Sequence, residues 1–288
     1  MSHDEVFFEK YGPWALIAGG SEGIGRSFAE QLAQAGFNLI LLARKEAPLQ
    51  ETADAIRAHF AVEIVTRSFD LTAPDLEQRL IAAIGDRDIG LMIYNAGAAN
   101  GSQRFLEQPL DYLQQLVRLN CDGPLVMAHV IGNRLRSRGR GGMIFLSSMG
   151  AFFGSAYIAA YAATKSFDTI LAEGLWAELR SANIDVLSLV AGATETPAMQ
   201  RIDPGYKANT GASGESGGAR PLLMSPDEVA REGLEFLGKG SMRVAGEANR
   251  SIVAAFAQTP REAIIEMMSG ASAALFNKPW PVYEPAPR

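Results

Sequence analysis

Trp14-Ala15-Leu16-Ile17-Ala18-Gly19-Gly20-Ser21-Glu22-Gly23-Ile24-Gly25 decides how the rest of the chain is read. Its first five residues are an apolar run of strand length, its glycines make a turn, and a helical pattern follows. Phe28, Leu32 and Ala35 share one face of a helix expected over 24–35, and Gly36 is a natural terminator. A second apolar run, Phe37 to Leu42, completes a βαβ unit. Glycines at 19, 23 and 25 let the backbone turn tightly and approach a pyrophosphate, while the helix N-terminus offers N–H groups to the anion. The spacing is not the usual GxGxxG, and a glycine cluster after a strand can also be a plain tight turn.

Further along, Tyr161 and Lys165 stand four apart, with Ser148 thirteen positions upstream. On a helix such a pair shares one face, with Cβ atoms roughly 5–6 Å apart. A phenol beside an ammonium is an activated acid, because the cation favours the phenolate. Ser148 can hydrogen-bond the same carbonyl oxygen. Alone, a Tyr and a Lys at this spacing are common on amphipathic helices, so context has to carry the reading.

That context is an alternation of strands and helices. Residues 74–84 read as a helix, 89–94 as a strand, 109–136 as a long helix and 143–146 as a buried strand running into Ser147-Ser148. Later come a helix over 226–237, a strand over 242–245 and an apolar helix over 261–276. Alternation of this kind predicts one α/β unit over residues 1–288: a doubly wound parallel sheet with helices on both faces and ligands beyond the strands' C-terminal ends. Asn120 lies inside the long helix, where it can cap or kink it, and Gly123-Pro124 favours a kink.

With these residues in hand, the chain resembles the short-chain dehydrogenase/reductase family along nearly its whole length. The TGxxxGxG turn appears as Ala18-Gly19-Gly20-Ser21-Glu22-Gly23-Ile24-Gly25, with alanine in place of threonine. Asp70-Leu71 matches the acidic residue beside the adenine, and Tyr94-Asn95-Ala96-Gly97 matches NNAG with tyrosine for the first asparagine. Ala191-Gly192-Ala193-Thr194-Glu195-Thr196 matches PGxxxT with alanine for proline. The resemblance implies a Rossmann-type fold and a catalytic set of Asn120, Ser148, Tyr161 and Lys165. It implies cofactor contacts at Gly19, Ser21, Gly23, Ile24, Gly25, Arg44, Asp70, Leu71, Asn95, Ala96, Gly97, Lys165, Gly192, Thr194 and Thr196. The nucleotide would be held by about 12–145, the substrate by about 146–276, and a lid would span about 197–225.

The implied reaction is hydride transfer between nicotinamide and a carbonyl or secondary alcohol. Tyr161 donates the proton, Lys165 favours the phenolate and binds the ribose, Ser148 stabilises the oxyanion, and Asn120 holds a relay water. Serine hydrolysis needs a histidine base, and His3, His59 and His129 lie in no nucleophile-elbow context around Ser148. A dinucleotide sensor without turnover would be expected to lack Tyr161 or Lys165, and this chain has both. The departures at Ala18 and Tyr94 remove side-chain hydrogen bonds of roughly 1 kcal/mol each when nothing compensates. Ala191 lacks proline's fixed φ and loosens its turn.

Cofactor choice turns on Leu41-Leu42-Ala43-Arg44-Lys45, which has no acid to accept ribose hydroxyls. Arg44 suits a 2′-phosphate, so NADP(H) is expected over NAD(H), although Glu22 sets a negative charge near that site. The plain alternative for Arg44 is a solvated loop arginine.

Composition fits a globular protein: 288 residues, 48% hydrophobic, 20% charged. A net charge of −6 argues against nucleic acid or anionic membrane as partners. The basic run Arg134, Arg136, Arg138, Arg140 reads as a solvated helix end, with a phosphate patch as the alternative. Cys121 is the single cysteine, so no internal disulfide forms and a reducing cytoplasm is expected; three scattered histidines make no zinc cluster, and no metal is expected. No apolar run approaches the ~20 residues of a membrane span, and Met1 to Tyr11 reads as a short polar lead.

Substrate identity lies in the least legible stretch. Asn209 to Gly218 has a loop composition that suits either a lid or an inert insertion. Family analogy sets Phe152, Phe153, Tyr157 and Met199 near the substrate, which implies a bulky apolar ketone or alcohol. A methionine and isoleucine stripe over 261–276 reads as core, with pocket lining as the alternative. The glycine turn, Arg44 and the apolar lid together bear some likeness to the branch handling hydroxysteroids and long-chain 3-ketoacyl thioesters. A homodimer or homotetramer built through the long helices is expected, with Trp280 to Tyr283 as an alternative interface tail.

Overall fold

The computed structural model describes residues 3–98, 103–202 and 223–280. In chain order the main elements begin with α1 (His3–Tyr11), β1 (Trp14–Ala18), α2 (Gly23–Gln34), β2 (Asn38–Ala43), α3 (Glu46–Arg57), β3 (Ile64–Ser68), α4 (Leu76–Ile84) and β4 (Ile89–Tyr94). They continue with α5 (Leu110–Val117), α6 (Gly123–Arg138), β5 (Gly141–Ser148), α7 (Ala159–Leu179) and β6 (Ile184–Ala191). The last are α8 (Pro197–Ile202), α9 (Pro226–Phe236), β7 (Met242–Val244), α10 (Glu247–Phe256) and α11 (Arg261–Leu275).

The strands form one sheet in the order β3-β2-β1-β4-β5-β6-β7, with every pair parallel. This is the expected doubly wound arrangement. Strand residues alternate between the two faces, and each face carries its own apolar cluster. On one face Ile17, Leu41 and Ile93 meet Phe28 and Leu32 of α2, Leu49 of α3 and Val229 of α9. On the other, Leu16, Ile40 and Met92 meet Leu80 of α4, Met127 and Ile131 of α6 and Ala172 of α7. Strand order reverses between β1 and β4, which opens a crevice above their C-terminal ends.

Three sequence expectations need correction. The N-terminal stretch is helical rather than a plain polar lead, because Phe7, Phe8 and Tyr11 give it an apolar side. Phe7 and Phe8 pack on Phe37 with ring centroids 5.8 and 5.1 Å apart. The basic run clamps this helix: Arg138 donates to the carbonyls of Lys10 and Gly12 and pairs with Asp88 at 2.8 Å. Arg140 reaches Glu9 O, and Arg134 reaches Gly85 O. A helix end is present as expected, but most of its cations are engaged by backbone rather than by solvent.

The third correction concerns the long helix expected over 109–136. It is broken into α5 and α6 by a π-helical turn, Arg118–Asp122, of the kind found at functional sites. Tyr94, fully buried at the end of β4, donates its hydroxyl to Leu119 O inside that turn. The tyrosine therefore replaces the side-chain tie whose loss its presence suggested. Burial pushes the Tyr94 phenol well above its ordinary value, with Asp168, Cys121 and Asp122 adding to the effect, so it stays a neutral donor.

β3, β6, α3 and α10 were not read from sequence; they fill the remaining alternation. Of the expected lid, α8 and residues 223–225 are described, while Asn209 to Gly218 lies outside the described residues. Trp280 covers Gly270 of α11; Pro281 to Tyr283 lie outside the described residues. The α11 stripe is only partly core, with Ile264 buried and Met267 exposed. Among the described residues, no helix is long and apolar enough to cross a membrane.

Tyr94→Phe leaves Leu119 O buried without its donor. We expect a loss of about 1–2 kcal/mol, read as a lower urea midpoint at unchanged slope. An unmoved midpoint would show that the bond does not anchor the turn.

Candidate active site

Every residue expected from sequence to be catalytic or to hold the cofactor falls at the C-terminal edge of the sheet or on a helix beside it. The turn from β1 to α2 carries Gly19, Ser21, Gly23, Ile24 and Gly25; Arg44 follows β2; Asp70 and Leu71 follow β3. Asn95, Ala96 and Gly97 follow β4, Ser148 ends β5, and Gly192, Thr194 and Thr196 follow β6. Asn120 lies in the π-helical turn, and Tyr161 and Lys165 lie on α7.

The glycine turn is held close-packed. Gly19 has φ +84°, and a Cβ at Gly25 would lie 2.0 Å from Gly19 O, a distance no side chain tolerates. Asn95 Nδ2 donates to Gly19 O at 2.9 Å and ties the turn to β4. The N-cap position of α2 is Glu22, which makes no side-chain cap hydrogen bond. The first N–H groups of α2 are thus left to another acceptor, which fits the phosphates of a dinucleotide. The methyl of Thr196 faces Gly23, so the β1 turn and the segment after β6 border the same cleft.

Glu22 is not the isolated charge its position suggested. Arg201 of α8 donates to both of its oxygens, one at 3.1 Å. That bond, more than the nearby Lys45 charge, lowers the Glu22 carboxyl below its ordinary range. Asp70 is lowered as well, first by the Thr72 N–H and then by the Thr72 hydroxyl, at 2.9 and 2.7 Å. Arg44 is exposed, with its carbonyl accepting from Ser68 Oγ.

The four residues expected to be catalytic converge. A methyl placed on Gly150 would lie 3.7 Å from Ser148 Oγ and 4.0 Å from the Tyr161 ring, so both side chains stand over that glycine. A methyl placed on Gly97 would lie 3.4 Å from Lys165 Nζ and 3.6 Å from Asn120 Oδ1. Asn120 is fully buried; it donates to Thr164 Oγ1 at 3.0 Å and to Ala98 O at 3.3 Å, and accepts from Ala98 N at 3.2 Å. Lys165 donates to Leu146 O at 2.7 Å and to Asp168 Oδ2 at 2.9 Å. Ser147 Oγ donates to Lys165 O and locks α7 against β5.

Asp168, Thr164 and Arg201 went unread in the sequence. An acid three positions beyond Lys165 on the same helix was a legible signal for Asp168; nothing local marks Arg201 as Glu22's partner. Two residues expected near a substrate have other partners. Tyr157 is buried and donates its hydroxyl to Pro279 O at 2.6 Å, and Phe153 packs edge-on against Phe256 at 5.1 Å. Phe152 and Met199 remain half-exposed. The segment after β6 is pinned by Glu195 N to Met224 O and Met224 N to Ala193 O, so both ends of the lid region are anchored.

Known proteins share this arrangement. The short chain dehydrogenase family profile matches residues 13–207. A 7beta-hydroxysteroid dehydrogenase of Clostridium sardiniense is 32% identical over 244 residues, covering 85% of this chain and 89% of that one. A structure described under 7beta-hydroxysteroid dehydrogenase stereoselectivity superposes with TM-score 0.80 at 28% identity, covering 91% of this chain and 98% of the other. A short-chain dehydrogenase from Sphingobium yanoikuyae in complex with NADPH superposes with TM-score 0.71 at 28% identity, over 86% and 93%. A parallel sheet with a glycine turn at its switch point, and Ser148, Tyr161 and Lys165 gathered at its edge, thus has the matches its geometry calls for: the chain belongs to the short chain dehydrogenase family, and is an oxidoreductase acting between CH–OH and C=O with NAD(P).

Proposed function

We propose that this protein is an NADP(H)-preferring oxidoreductase of bulky apolar ketones and secondary alcohols, with Asn120, Ser148, Tyr161 and Lys165 as its catalytic residues. The observation that carries the reading is the convergence of Ser148 with Tyr161 over Gly150, and of Lys165 with Asn120 beneath Gly97. The cofactor's nicotinamide, when bound, would supply or accept the hydride. Tyr161 donates a proton to the carbonyl oxygen in reduction and accepts it in oxidation. Lys165 favours the phenolate by its charge, and Ser148 offers a hydroxyl to the developing oxyanion. Asn120, fixed by Thr164 and Ala98, holds the wall of the site in register with Lys165. In this reading residues 1–288 form one unit, with about 12–145 binding the nucleotide and about 146–276 the substrate. Cytoplasm is the compartment that suits the single Cys121.

The dinucleotide would be held by Gly19, Ser21, Gly23, Ile24 and Gly25 at its phosphates. Asp70, Leu71, Asn95, Ala96 and Gly97 would flank its adenosine side, and Gly192, Thr194 and Thr196 its nicotinamide side. NADP(H) is favoured because Arg44 and Lys45 follow β2 with no acid among them, and because Arg201 neutralises Glu22. The relative crystallised with NADPH agrees with this preference. A bulky apolar substrate is favoured by Phe152 and Met199, half-exposed and set near a substrate by family analogy, and by relatives named for hydroxysteroids. A symmetric oligomer is favoured by Leu110, Val117, Leu125 and Ile170, large apolar residues left exposed on α5, α6 and α7.

Tyr161→Phe is expected to keep NADPH binding and lose about 10²–10⁴-fold in turnover, measured at the reduced-nicotinamide absorbance. Full turnover in that variant would overturn the catalytic assignment. Arg44→Asp is expected to lower the NADPH/NADH ratio of kcat/KM by about tenfold or more, the scale of a charge-assisted hydrogen bond; an unaltered ratio would remove Arg44 from cofactor selection. Across a panel from small aliphatic ketones to hydroxysteroids, kcat/KM is expected to favour the polycyclic members by about tenfold or more. Ile170→Glu is expected to yield monomers by light scattering after gel filtration, and an unchanged mass would move the interface elsewhere.

A further inference from the structure

Asp168 lies on the inner face of α7, three residues beyond Lys165, and is fully buried. Its Oδ2 accepts from Lys165 Nζ at 2.9 Å, while its Oδ1 has no hydrogen-bond partner among the described residues. A buried carboxylate oxygen left unpaired costs folding free energy, and a buried ion pair is weak support for a fold compared with an apolar pair of similar size. Stability therefore gives no reason for an aspartate at this position. Its neighbour does: the same Lys165 ammonium is held by Leu146 O, two residues before Ser148, and sits beneath Gly97 beside Asn120.

We propose that Asp168 is a positioning residue for catalysis, the buried counter-ion that fixes the Lys165 ammonium and sets the pH window in which that ammonium stays charged beside Tyr161. The proposal rests on the reading of Tyr161 and Lys165 as catalytic. Geometry is its first support: α7 places the carboxylate so that it and Leu146 O grip the ammonium between α7 and β5.

Electrostatics is the second. Burial works against the Lys165 charge, but the Asp168 carboxylate, with Tyr161 and Cys121, outweighs it and raises Lys165 above its ordinary value. Burial raises Asp168 as well, with Lys165 opposing. The Asp168 charge is also felt by Tyr94 on β4 and by Cys121 on the π-helical turn, where Asp122 adds to it. Cys121 is pushed up to about 11, by burial first. Lys165 is the cation of this group.

Removing a fixed negative charge lowers the proton affinity of its neighbours, so Lys165 loses its proton at lower pH in Asp168→Asn. Carbonyl reduction needs the Lys165 charge beside the Tyr161 hydroxyl and is lost as pH rises past the Lys165 titration. Its alkaline limb is therefore expected to move to lower pH by about one unit. A purely structural aspartate would lower activity evenly and leave the limb in place.

The experiment is the pH profile of kcat/KM for NADPH-dependent ketone reduction in wild type, Asp168→Asn and Asp168→Glu, with Tyr161→Phe alongside. A downward limb in Asp168→Asn that Asp168→Glu restores is the expected result; an unmoved limb overturns the proposal. Turnover that survives Tyr161→Phe would instead overturn the catalytic reading beneath it. If Asp168→Asn does not fold, thermal melting of Lys165→Met and of Lys165→Met/Asp168→Asn decides the matter. The first strands a buried carboxylate and the second does not, so the double variant is expected to melt higher, and one that melts no higher overturns the pairing.

Discussion

Parallel pairing sends the chain back across a face of the sheet after every strand, and so it gathers the C-terminal ends of all the strands on one edge. The rest of the molecule depends on that constraint. Side chains that are far apart in sequence, at the ends of β1, β4 and β5 and on α7, come within a few ångströms of one another because each follows a strand running the same way. The crevice between β1 and β4 exists because strand order reverses there, and the close approach of Gly25 to Gly19 lets α2 aim its N-terminus into it.

Around this edge the polar groups are wired inward, into apolar layers. Asn120 is held by Thr164 and Ala98, Ser147 bridges to α7, and Tyr94 holds the π-helical turn from the sheet side. All but the half-buried Asn120–Ala98 contact are buried, and a buried bond fixes position more firmly than the same bond would in water. Lys165 brings one buried charge to this edge, and Asp168 brings a second that no packing argument asks for. At the outer rim Glu22 and Arg201 join the glycine turn to α8.

Much of this was legible beforehand, because it depends on local pattern. The glycine turn, the apolar strands around Leu16, Leu41 and Ile93, the Ser148 strand end and the i, i+4 pair of Tyr161 and Lys165 all follow from periodicity and spacing. The break around Asn120 was visible as a kink signal at Gly123-Pro124, although its π-helical form was not. The N-terminal helix was misread because its charged residues mask three aromatics that matter only once Phe37 is beside them. The partners of Tyr157 and Phe153 were not legible because Pro279 and Phe256 lie over a hundred residues away.

By itself, the order of residues determined the alternation of elements, the glycine turn and the i, i+4 pairing of Tyr161 with Lys165, since these rest on interactions between near neighbours in the chain; the parallel sheet follows from that alternation, and the place of Asn120 at its edge from family resemblance. Tertiary structure decided which substitutions are compensated and how charges are paired. Tyr94 gains Leu119, Glu22 gains Arg201, and Lys165 is gripped between Leu146 and Asp168. The physical reason is that burial and electrostatic pairing are properties of distance in space. No local pattern reports whether an ionisable group will face water or another charge until the layers have closed over it.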